Sequence, residues 1–129
     1  MRHQKFTLAV TMLALLVGCA FAQAQAKATV DIKFKFIAGT AAMAPGNYNI
    51  EQMSTGSVSI REAGGGKSSA VLPIITVLGR HDNDQFPELV FDLLPDGPHL
   101  SEVWFSGGVD GMLVLATKEP HKHQVLQAK

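Results

Sequence analysis

The chain has 129 residues, 47% of them hydrophobic and 17% charged, with 11 basic and 11 acidic side chains and a single cysteine. That length suits one domain with a real core. The basic residues are scattered apart from Lys33 and Lys35, so no cationic stripe is available to neutralise phosphates, which excludes a nucleic-acid binder by charge. One cysteine excludes an internal disulfide.

The amino-terminal segment reads as an export signal. Residues 1–5 (MRHQK) are short and basic, residues 6–17 (FTLAVTMLALLV) are apolar and uncharged, and a run of small residues follows from Ala20 to Ala26. The apolar core of 12 residues falls short of the roughly 20 that cross a bilayer as a helix, so the pattern is that of a cleaved signal peptide. Two cuts fit it. Ala20 and Ala22 satisfy ordinary signal peptidase before Gln23, giving a signal peptide over 1–22, a β domain over 23–117 and a polar, flexible tail over 118–129. Leu16-Val17-Gly18-Cys19 resembles a lipobox instead, which would attach lipid at Cys19 and anchor the chain at a membrane. The expected location is therefore secreted or periplasmic, with lipid anchoring at Cys19 as the alternative. Removing residues 1–22 leaves nine basic against eleven acidic side chains.

Residues 28–36 (ATVDIKFKF) alternate, with Val30, Ile32, Phe34 and Phe36 on one face, as a half-buried strand does. Pro45-Gly46 suits a type II turn. Residues 47–52 and 57–61 resume alternation around Ser54-Thr55-Gly56, a hairpin, and residues 64–69 (GGGKSS) form a connection. Residues 70–78 (AVLPIITVL) form a continuous apolar run expected of a strand buried on both sides, with Pro73 marking an edge or bulge. After Asp82-Asn83-Asp84, residues 88–94 (ELVFDLL) place Leu89, Phe91 and Leu93 on one side. Pro95-Asp96-Gly97-Pro98 is a strong turn, and residues 99–105 and 112–117 are two more strands. No capped helical period of ten or more residues follows the signal. The fold class expected is all-β, an antiparallel sandwich or small barrel of about seven to eight short strands, preceded by a signal-peptide helix.

Phe34-Lys35-Phe36, residues 44–50 (APGNYNI), Leu89-Val90-Phe91 and residues 100–104 (LSEVW), followed by Gly107 and Gly111, resemble a skeleton F-x-F…P-A-G-x-Y-x-I…L-x-F…L-S-x-x-W. This is the pattern of a group of short, exported bacterial β proteins without an assigned activity. The chain departs from it at Ala44-Pro45-Gly46, where the group favours Leu-Pro-Ala-Gly. The resemblance spans most of residues 32–117 and implies a fold and an address, with no catalytic residue to carry over.

Candidate sites are weighed by chemistry. Gly66-Lys67-Ser68 resembles the end of a P-loop, but Arg61 stands where the motif needs its first glycine. His81-Asp82-Asn83-Asp84 lacks the glycine and distal glutamate of a calcium loop. His121 and His123 offer two imidazoles for a divalent ion, with no further ligand evident in sequence, so no metal or other cofactor is assigned. His99 and Ser101 share a strand face near Asp96 without the surroundings of a catalytic triad, so no catalytic residue is assigned. Glu102 and Trp104 share the other face. Either they point inward with Leu100, making Glu102 the polar anchor of a pocket, or Val103 and Phe105 point inward and Trp104 is a surface aromatic. The leading expectation is a non-enzymatic domain that binds or supports an envelope component. The alternative is a small-barrel binder of an apolar or lipidic molecule, using Trp104, Glu102, Tyr48 and Phe91, and a hydrolase is third.

Overall fold

In a computed structural model, residues 26–79, 86–106 and 110–128 are described. The expected signal peptide with Cys19, and the His81-Asp82-Asn83-Asp84 segment, lie outside the described residues. Among the described residues eleven strands form two sheets. The smaller has four strands in the order β1 (Lys27–Ile32), β4 (Gly46–Met53), β5 (Ser57–Glu62) and β6 (Ser69–Pro73). The larger has seven. Its path runs β11 (Lys122–Gln127), β8 (Glu88–Leu94), β9 (Gly97–Trp104), β10 (Gly111–Leu113) and β7 (Thr76–Leu78). The hairpin of β2 (Phe36–Ala38) and β3 (Ala41–Met43) joins it by a parallel pairing of Ile37 with His99. The sheets do not close on each other, so of the two expected architectures the structure is the sandwich. Among the described residues no helix is long and apolar enough to cross a membrane.

Alternation generates the core. Val30 and Ile32 of β1, Tyr48 and Ile50 of β4, Val58 and Ile60 of β5 and Leu72 of β6 are buried from one sheet. Leu89, Phe91, Leu100, Val103 and Met112 meet them from the other, as inner faces of a sandwich do. Three edge-on ring pairs cross the interior, Phe34–Phe91 at 5.0 Å, Phe36–Tyr48 at 5.3 Å and Phe36–Phe91 at 5.6 Å between centroids. Burying each such side chain stabilises the fold by about 1.5–3 kcal/mol.

The strands depart from the sequence pattern where the chain changes sheets. The alternating run 28–36 is cut at Lys33–Lys35: β1 lies in the smaller sheet, β2 in the larger, and Phe34 between them still packs on the core. Gly46 begins β4 opposite Ile32 rather than serving a type II turn. The tight turn is Gly39-Thr40, where Gly39 has φ +65° and takes the left-handed conformation glycine tolerates. The apolar run 70–78 is likewise divided between β6 and β7, and the expectation of burial on both sides is wrong. Val71, Ile75 and Val77 are 67%, 54% and 60% exposed, because β6 and β7 are edge strands of different sheets. Pro73 ends β6 at such an edge, where its missing N–H costs no ladder bond. Residues 118–129 are not a flexible tail throughout, since β11 pairs with β8 along Lys122↔Leu93 to Gln127↔Glu88, and Leu126 and Ala128 reach the core.

One irregularity decides which side chains of β9 face inward. The β8–β9 register slips between Val90/Phe91, with Val90 opposite Glu102 and Phe91 opposite Leu100. Ser101 is therefore the extra residue of a β-bulge. Its hydroxyl donates to the Val90 carbonyl at 3.1 Å, and its own carbonyl accepts the N–H groups of Val114 at 2.8 Å and Leu115 at 3.3 Å. Leu100 before the bulge and Val103 and Phe105 after it all enter the core.

Candidate functional site

The bulge places Glu102 and Trp104 on the outer face of the larger sheet. Trp104 Nε1 donates to Glu102 Oε1 at 2.9 Å, and the indole, 8% exposed, lies over Gly111, where a Cβ would fall 2.5 Å from it. Tyr48 and Phe91 are on the other side of the sheet, wholly buried between the layers. The structure thus separates the four residues expected to share an apolar pocket. Tyr48 donates its hydroxyl to the Ala44 carbonyl, and burial pushes its phenol pKa up, with Glu62 adding to the effect and the Ser68 hydroxyl opposing it.

Phe34, Phe36, Tyr48 and Phe91 occupy the space between the sheets, and a concavity lies elsewhere. An open groove of about 470 Å³ runs between the β2–β3 hairpin and the β8–β9 turn, lined by Phe36, Ile37 and Met43 with Lys35 and Asp96 among its polar groups. At this turn Asp96 Oδ1 accepts from His99 Nε2 at 2.7 Å, and that hydrogen bond holds the exposed Asp96 carboxyl below its ordinary value. Ser101 does not complete a triad with them: it is 1% exposed and its hydroxyl serves Val90.

A second arrangement is built by the route of the chain. β10 and β11 are separated in the sheet by β9 and β8, so the connection from residue 114 to 121 must cross both strands. It crosses over the outer face, where Thr117 Oγ1 donates to Asp92 Oδ2 at 2.7 Å. Asp92 lies on the outer side of β8 and is 2% exposed. Two imidazoles meet its other oxygen. His121 arrives on the crossover with Nε2 3.4 Å from Oδ1, and His123 sits on β11 opposite Asp92 with Nδ1 2.9 Å from Oδ1. The two rings are edge-on at 4.7 Å. Despite these approaches Asp92 Oδ1 receives no hydrogen bond. The three donor atoms lie within 4.8 Å of one another.

The sequence pointed to the histidine pair but not to Asp92. Its place in residues 88–94 assigns it only to the face opposite Leu89 and Phe91, and the signal that would have found it is the pairing of β11 with β8. The protein is an open two-sheet β-sandwich whose larger sheet carries a histidine–carboxylate cluster on its outer face and a groove at one end. Comparison with family models, with curated proteins and with solved structures gives no match for this chain.

Proposed function

We propose that the chain is an exported, non-enzymatic sandwich domain that acts by binding, or as a structural component, in the cell envelope or the secreted fraction. The observation that carries the reading is the groove between the β2–β3 hairpin and the β8–β9 turn, an apolar-walled concavity with a few polar groups at its margin, the usual form of a small-ligand site. The basic, then apolar, then small-residue order of residues 1–26 supports export. An apolar or lipidic ligand is the second reading. It fits the groove rather than the interior, because Phe34, Phe36, Tyr48 and Phe91 already occupy the space between the sheets. The test is native against denatured mass spectrometry of the full chain recovered from envelope and culture fluid, together with assays on ester, glycoside and peptide substrates. A mass retained only under native conditions and lost in Ile37→Glu is the expected result for a groove ligand. A turnover abolished by substituting one polar residue overturns the non-enzymatic reading.

A further inference from the structure

We propose that Asp92, His121 and His123 form a binding site for a borderline divalent first-row metal ion, with Zn²⁺ and Cu²⁺ as the best matches. This goes beyond the groove, which shares none of these residues.

The orphaned oxygen is the first argument. A carboxylate oxygen in a group 2% exposed that accepts no hydrogen bond carries a desolvation cost which a cation would remove. The second is the orientation of His121. Its Nδ1 lies 2.7 Å from the Glu119 carbonyl oxygen, and because a carbonyl only accepts, Nδ1 carries a proton. That contact turns the ring so that Nε2, its other nitrogen, points to Asp92 Oδ1 at 3.4 Å.

The outer contacts match those of ligating groups. A metal-bound imidazole ordinarily gives its other N–H to a carbonyl or carboxylate, and a ligating carboxylate is itself hydrogen-bonded. Glu119 does the first for His121, and Thr117 does the second for Asp92 through Oδ2, leaving Oδ1 for the ion. Spacing agrees for the two pairs that include the carboxylate, and all three donors lie within 4.8 Å of one another. Metal bonds of about 2.0–2.2 Å to nitrogen and oxygen set tetrahedral donors roughly 3.3 Å apart, against 3.4 Å and 2.9 Å from Oδ1 to the two imidazoles. Two nitrogens and one carboxylate favour zinc and copper over the hard ions magnesium and calcium, which take all-oxygen shells. The His123 side chain is 51% exposed, so the solvent side is open to a fourth donor, water or a group on another molecule.

The test is calorimetric titration of the chelator-treated full chain with ZnCl₂, then in a second arm with CuCl₂. The expected result is saturable binding of one ion per chain in at least one arm, weakened at least about tenfold in both His121→Ala and His123→Ala. Asp92→Asn keeps the side-chain shape and tests the carboxylate, and circular dichroism of each variant without metal establishes that it is folded. Absence of saturable binding for both ions, or binding unchanged in the two histidine variants, overturns the proposal.

Discussion

Tyr48 shows how one side chain links burial, hydrogen bonding and acidity. Its ring closes the interior against Phe36, its hydroxyl serves the Ala44 carbonyl, and burial raises its pKa above the ordinary 10.0. The folded chain prefers the neutral phenol, so this contribution to stability is whole below pH 10.0 and is lost as pH rises through the higher folded value. The chain has one tyrosine, so its ultraviolet titration needs no assignment: the midpoint should lie above that of the unfolded chain. Tyr48→Phe should flatten the alkaline loss of stability and cost about 1 kcal/mol at neutral pH, read from urea denaturation. At Gly111 the argument is steric. A Cβ there meets the Trp104 indole at 2.5 Å, so Gly111→Ala should destabilise by about 1–3 kcal/mol and shift the emission of the single tryptophan as the ring is displaced.

At the scale of elements, strand content was legible in the sequence wherever both ends of an alternating run stay in one sheet. β4 and β5 follow their patterns closely, β8 does so at Leu89 and Phe91 but leaves Leu93 exposed, and the hairpin at Ser54-Thr55-Gly56 turns through Gly56 with φ +81°. Runs that change sheets were misread, because period 2 reports which face of a strand is apolar and not which neighbour it pairs with. The bulge at Ser101 explains the unresolved choice on β9: no phase of alternation buries Leu100, Val103 and Phe105 together, and one extra residue does. The metal-site candidate was half visible for the same reason. His121 and His123 are near in sequence, but Asp92 joins them only through β11 pairing with β8. β11 was hidden by its polarity, since of its residues Leu126 packs on the core. Leu126→Ala should therefore cost about 2 kcal/mol in chemical denaturation, the low end for a leucine that is only partly buried. A value near zero would mean that β11 contributes nothing to the sheet's stability.

Across the whole molecule, the two sheets expose different chemistry. The edges near β6 and β7 present Val71, Ile75 and Val77 to solvent, whereas the far side of the larger sheet gathers histidines and carboxylates around β8. The crossover from residue 114 to 121 belongs to neither inner face; it runs over the outside of the larger sheet, delivers Thr117 and His121 to Asp92, and leads into β11 at the edge of β8. β11 is thus the strand that covers the hydrogen-bonding edge beside Leu89, Val90 and Phe91. A chain halted or clipped before Lys122 would present that edge bare, with apolar side chains on both sides of it, and such an edge recruits strands from other molecules. For this protein, proteolysis ahead of β11 would be less a trimming than a conversion of a covered sheet into a seed for aggregation.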